Sequence, residues 1–107
     1  MATHAINTFR LRSGVSAAEF EQFSIELDQP RCLAFDVVLA FEVFMVDDAD
    51  AGIDVIEVMT VASWPEWEQI RDGAPELTPV LERFDQLVEP GSVSTHFGRK
   101  PSLPQEI

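Results

Sequence analysis

Hydrophobic and polar positions repeat with two different periods along this chain, and the switches between them mark out its elements. Residues His4 to Arg12 alternate with a period of two, placing Ala5, Asn7, Phe9 and Leu11 on one face of a predicted strand and His4, Ile6, Thr8 and Arg10 on the other. Ser13-Gly14 ends it. Ser16 then opens a helix with the pattern SAAE (Ser16 to Glu19), in which the serine and glutamate side chains each satisfy the other's free backbone N–H. Phe20, Phe23 and Leu27 follow at i, i+3 and i+7, a single apolar stripe. Pro30 is expected to close this helix, because the residue before a proline avoids the helical region.

Two apolar runs come next, Val37 to Val46 (VVLAFEVFMV) and Ile53 to Ala62 (IDVIEVMTVA), joined by the acidic turn Asp47 to Gly52. In the first run both alternation sets are apolar: Val38, Ala40, Phe44 and Val46 on one side, Val37, Leu39, Phe41, Val43 and Met45 on the other. A small antiparallel sheet normally leaves one face to water. This one needs two covers, of which the helices supply one and a second copy of the chain is expected to supply the other. Ser63 opens another helix with SWPE (Ser63 to Glu66), Pro65 standing in the first turn where it is tolerated, and Trp64, Trp67 and Ile70 sharing a face. Gly73-Ala74-Pro75 breaks it. A further helix is predicted from Pro79 to Val88, capped by Thr78, with Leu77, Val80, Leu81, Phe84, Leu87 and Val88 as its stripe. Pro90-Gly91 stops that helix, Val93 to Phe97 reads as a last strand, and residues 99–107 (RKPSLPQEI), polar and twice interrupted by proline, as an extended tail.

The order β-α-β-β-α-β, with its second helical region split, is the ferredoxin-like arrangement of an α+β fold. Right-handed crossovers place the helices on one face of a four-stranded antiparallel sheet. Burying the remaining apolar face at roughly 25 cal/mol per Å² favours two sheets packed across a two-fold axis. Residues 1–107 are therefore expected to form one domain of a homodimeric α+β barrel.

Composition narrows the partners. A length of 107 residues with 46% apolar content suits one folded domain rather than a disordered chain. No apolar run is long enough to span a bilayer, and the opening MATHAINTFR lacks the basic and apolar regions of a signal peptide, so a cytoplasmic location is expected. Cys32 is the single cysteine, so there is no intrachain disulfide framework. The net charge of −12, with Lys100 the one lysine, repels phosphate backbones and anionic membranes, so neither nucleic acid nor membrane is an expected partner. A neutral or cationic small molecule fits that field, although acidity also serves solubility alone.

Candidate chemistry lies mainly in the strands. If the central hairpin is symmetric about its six-residue turn, Glu42 faces Glu57 at about 5 Å among apolar neighbours. Such a pair cannot ionise freely, and the carboxyl with the raised pKa can serve as acid while the other serves as base. A slip of one residue would place the two on opposite faces. His96, in the last strand, is a candidate proton shuttle or a histidine held by hydrogen bonds without catalytic duty. His4 is more peripheral, and the two histidines and Cys32 lack metal-ligand spacing. Asn7, polar in an otherwise apolar strand face, either orients a substrate or ties down a loop, and Thr60 is a weaker case of the same kind. Trp64 and Trp67 suit stacking on a flat heteroaromatic ligand as well as core packing. Arg31, Phe35 and Asp36, in the segment before the second strand, are placed to rim a pocket, Phe35 as a substrate-binding candidate. There is no Gly-rich phosphate loop, no dinucleotide fingerprint, no GxSxG elbow and no tyrosine, so no cofactor is expected.

The segments INTFRLRSGVSAAEFEQFS, LDQPRCLAFDVVLAFEVFMV and SWPEWEQI, with the closing HFGRK, resemble the dimeric α+β barrel superfamily and, within it, the RedY/HapK-like proteins of prodigiosin-type and bisindole alkaloid clusters. The resemblance runs from Ile6 to Lys100 and rests on fold patterns rather than a catalytic signature. It implies a small cofactor-free protein that acts on a pyrrolic, indolic or related aromatic biosynthetic intermediate and steers its cyclisation. Two other functions are compatible with the same features. One is a cofactor-independent monooxygenase of the antibiotic-biosynthesis type, in which the substrate activates oxygen near Asn7 and Trp64. The other is a non-catalytic dimer that binds and protects a labile intermediate.

Overall fold

A computed structural model describes residues 2–102. Four strands, β1 (Thr3–Phe9), β2 (Val38–Met45), β3 (Val55–Val61) and β4 (Ser94–Gly98), form one antiparallel sheet in the order β2-β3-β1-β4. The helices α1 (Ala17–Phe23), α2 (Gln29–Leu33), α3 (Trp64–Gly73) and α4 (Thr78–Leu87) fill the two crossovers, which gives the expected ferredoxin-like α+β fold. The core lies between helices and sheet. Phe9, Phe20, Val55, Val61, Leu77 and Leu87 are fully buried there, and the Phe9 ring meets Phe20 and Phe84 edge-on, with centroids 5.5 and 5.2 Å apart. Among the described residues no helix is long and apolar enough to cross a membrane.

Local signals act where they were read. The Ser16 hydroxyl accepts from the Glu19 N–H at 3.1 Å and the Glu19 carboxylate accepts from the Ser16 N–H at 3.2 Å, a complete capping box. The Ser63 hydroxyl accepts from the Glu66 N–H at 3.3 Å, and α3 ends at Gly73 as expected.

Four features depart from the expectations. The first helix does not stop at Pro30: it continues to Leu33 through a π-helical turn, Ser24–Asp28, in which the Gln29 N–H donates to the Ser24 carbonyl. Pro30 then stands in the first turn of α2, the part of a helix where a proline is tolerated. Thr78 caps nothing. The short 3₁₀ turn Pro75–Leu77 runs directly into α4, so Thr78 is already helical and Leu77 holds the cap position without a side-chain bond. In β2 a bulge at Leu39 moves Val38 to the helix-facing side, where it pairs with Val61, while Ala40 pairs with Thr60 on the other side.

The fourth departure decides the site. The central turn takes in Ile53, and Val46 donates its N–H to the Asp54 carbonyl at 2.9 Å. The register therefore shifts by one residue: Glu57 pairs with Val43, and Glu42 pairs with Val58. Glu42 and Glu57 do not face each other but point to opposite sides of the sheet, as a one-residue slip requires.

The sheet face away from the helices is uncovered. It carries Ile6, Ala40, Phe44, Ile56 and Val58 together with His4, Glu42, Thr60 and His96, and none of these is buried; Phe44 is 52% exposed. Residues 99–102 of the predicted tail carry no helix or strand, and its remainder, 103–107, lies outside the described residues.

Candidate functional site

A cavity of about 210 Å³ lies between sheet and helices. Its floor is built by strand alternation: Asn7 and Phe9 from β1, Phe41 from β2, Glu57 and Met59 from β3 and Thr95 from β4 share the helix-facing side. Its roof comes from Asp28 and Cys32 in the first helical segment, Trp64, Trp67 and Arg71 of α3, and Val80, Leu81 and Phe84 of α4. Leu81 and Val93 line the cavity yet are exposed, which places its opening beside α4 and the approach to β4.

Two carboxyl groups enter this largely apolar space. Glu57 sits in the middle of β3 and is only 5% exposed, and its Oε2 is buried with no hydrogen-bond partner among the described residues. Burial, with the charge of Asp28 adding to it, raises the Glu57 pKa well above its ordinary value. Asp28 closes the π-helical turn. The Cys32 thiol, one helical turn on, donates to its Oδ1 at 3.4 Å. Burial pushes the Asp28 pKa from 3.8 up to about 6, although the thiol bond pulls it down. Cys32 is itself held protonated by burial, by the neighbouring Asp28 charge and bond, and by Glu57. Burial thus favours the protonated form of each carboxyl and their proximity couples them, an arrangement in which one can give a proton while the other takes one.

The walls suit a flat ligand. The Trp64 ring meets Phe97 edge-on at 4.9 Å, and the Arg71 guanidinium lies 5.9 Å from its centroid. The Arg71 charge is already shared, with Glu68 at 3.7 Å and Asp72 at 3.0 Å. The Asn7 amide oxygen accepts from the Thr95 hydroxyl at 2.7 Å, which fixes the amide on the cavity floor.

Of the residues singled out from sequence, Glu57, Asn7, Trp64 and Trp67 come together in this cavity. Glu42, His96 and Thr60 do not, because each points to the uncovered face. His96 pairs with Ile6 there, and Thr60 shares a 2.9 Å hydrogen bond with His4 Nδ1. Phe35 packs against the core ahead of β2 and is not among the lining residues, and Arg31 donates to the Glu76 carbonyl at 2.9 Å. Asp28, Cys32, Arg71 and Thr95 escaped the sequence reading. Asp28 carried a legible signal: Ser24 and Asp28 stand four and eight residues after Phe20, on the same stripe as Phe23 and Leu27, and a buried acid in an apolar stripe marks a special position.

A family model described as REDY-like protein HapK matches residues 3–100. Among solved structures, the chain is similar to HapK from Hahella chejuensis at 19% identity and a TM-score of 0.78, covering 100% of this chain and 99% of that one. It is also similar to a dimeric protein of unknown function and ferredoxin-like fold from Bacteroides fragilis (14% identity, TM-score 0.69, 92% and 96% covered). A third is a DABB family protein with a ferredoxin-like fold from Mesorhizobium loti (14% identity, TM-score 0.69, 94% and 98% covered). At these identities the likenesses show the fold. No curated protein sequence matches the chain.

Proposed function

The chain belongs to the HapK family of REDY-like proteins, and we propose that it is a cofactor-free cyclase acting on a small pyrrolic, indolic or related aromatic intermediate of secondary metabolism. The observation that carries this reading is the unpartnered Glu57 Oε2, buried in the cavity opposite Asp28. A carboxyl left without a partner costs stability unless something else uses it, and a substrate's N–H or developing charge is such a partner. Glu57, held protonated, is the general acid, and Asp28, which ionises near pH 6, is the base. Trp64, Trp67 and Met59 position the ring system, and Asn7 offers its amide to a substrate heteroatom.

The active form is a homodimer. Ile6, Phe44, Ile56 and Val58 make an apolar face that no helix among the described residues covers, and a second sheet laid on it would complete an α+β barrel. The similar protein from Bacteroides fragilis is described as dimeric. The cavity lies on the opposite, helix-covered side of the sheet, so each subunit carries its own site.

The test is turnover of candidate pyrrole and indole precursors by Glu57→Gln and Asp28→Asn, with Glu42→Gln and His96→Ala as controls. Removing the acid or the base should lower the rate about 10²–10⁴-fold, whereas the controls, on the other face, should retain it. Full activity in Glu57→Gln would overturn the acid–base assignment. Loss of activity under strict anaerobiosis would favour an oxygenase. Product formed at the same rate without the protein, with only yield or isomer ratio changed, would favour a binding role.

A further inference from the structure

The ionisable lining of the cavity is lopsided. Asp28, Cys32, Glu57 and Arg71 are its titratable or charged members. The arginine is engaged by Glu68 and Asp72 at the outer surface and lies against the Trp64 ring. The two carboxyls are left deep inside, one of them with an oxygen that no donor among the described residues reaches. Among the described residues the thiol is the one side chain that donates to either carboxyl, and it serves Asp28. A neutral N–H donor would satisfy the Glu57 oxygen but compensate no charge. An anionic ligand would meet the carboxyl pair head-on and have only an already shared cation to recruit.

We infer that the cavity takes a flat heteroaromatic ligand carrying a protonated nitrogen, with that nitrogen donating to Glu57 Oε2 beside Asp28 and the ring lying among Met59, Trp64 and Trp67. This rests on the reading that the cavity is the substrate site, and it adds the charge class that site selects. Buried charge is tolerated when paired and hydrogen-bonded, and a ligand cation supplies both at once. The volume of about 210 Å³ falls below the about 300–1,000 Å³ of drug-sized pockets, which fits a small ring system. The chain's net charge of −12 draws a cation toward the opening. Binding would favour the ionised form of Asp28, so the proton that Asp28 holds near pH 6 leaves as the ligand enters, while Glu57 accepts the ligand N–H at Oε2 and keeps its own proton on the other oxygen.

Tryptamine, 3-ethylindole and indole-3-propionate present one ring with a cationic, a neutral and an anionic arm, and calorimetric titration of the wild-type protein compares them directly. Tryptamine should bind at least about tenfold more tightly than 3-ethylindole, a step of about 1.4 kcal/mol, and indole-3-propionate should bind weakest. Repeating the tryptamine titration near pH 6 in buffers of different ionisation enthalpy should show proton release, which 3-ethylindole should not. The Asp28→Asn/Glu57→Gln variant, checked for folding by its melting transition, should lose the preference. Equal or tighter binding of either other compound to the wild type, or tryptamine binding without proton release, would overturn the inference. If none of the three binds, the substrate-site reading falls and the inference with it. If tryptamine is preferred while Glu57→Gln retains full turnover, the ligand class stands and the cyclase mechanism falls.

Discussion

Asp28 and Glu57 line one cavity from opposite layers, the first from a π-helical turn and the second from the middle of β3, and the charge of Asp28 helps to keep Glu57 protonated. Neither carboxyl would behave this way alone on a surface. Desolvation is the larger cause for both, and their proximity makes them titrate as a unit.

The pair links stability to pH. Both carboxyls bind protons more tightly in the folded state than in the unfolded chain, where Asp28 has its ordinary pKa of 3.8. Their contribution is therefore fully present below about pH 4 and is lost as pH rises through the folded values, about 6 for Asp28 and well above the ordinary carboxyl range for Glu57. Urea midpoints should fall as pH rises from about 4 through 6, and the Asp28→Asn/Glu57→Gln variant should show a smaller fall over that range. Parallel curves for the two proteins would contradict the shifts.

The thiol of Cys32 lowers the Asp28 pKa by donating to its carboxylate. Cys32→Ala removes that donor, so carbon-detected titration of the Asp28 carboxyl should show a midpoint above the wild-type value. The same burial keeps the thiol protonated, and a thiol-specific reagent should label the native protein only as fast as it opens.

Trp64 and Trp67 should separate on mutation. Trp67 is 4% exposed and belongs to the core, so Trp67→Ala should cost about 3–5 kcal/mol in denaturation experiments. Trp64 is partly buried at the cavity wall, where it meets Phe97 edge-on, so Trp64→Ala should cost less stability than Trp67→Ala and show its loss chiefly in ligand affinity. Equal destabilisation would mean that Trp64 serves packing alone.

Val58 stands near the middle of the uncovered face, opposite Ile6 and Glu42. Val58→Asp places a charge where a second sheet would pack. Sedimentation velocity at micromolar concentration should show a dimer for the wild type and a monomer for the variant, with circular dichroism unchanged. A monomeric wild type would overturn the proposed assembly.

The Ser16–Glu19 capping box, the Ser63 cap, the stripe of Phe20 and Phe23 and the two-faced apolarity of β2 are all written within a few consecutive residues. Each of these signals lies between residues close in sequence, which is why the elements and their order could be read directly. Glu57 was likewise visible as an acid in an apolar strand, although its partner was misassigned to Glu42. Which carboxyl meets it depended on whether Ile53 joins the strand or the turn, a choice settled by packing across the whole sheet, and one residue of register exchanges the faces. Asp28 depended on a π-helical turn that lets the helix pass Pro30, a backbone adjustment that helical periodicity alone does not encode. The linear chain thus determined the strands, the helices and their ferredoxin-like order, because those follow from local periodicity. Only the tertiary structure decided that Asp28 rather than Glu42 stands beside Glu57, because that pairing is made by side chains distant in sequence that meet once the layers close.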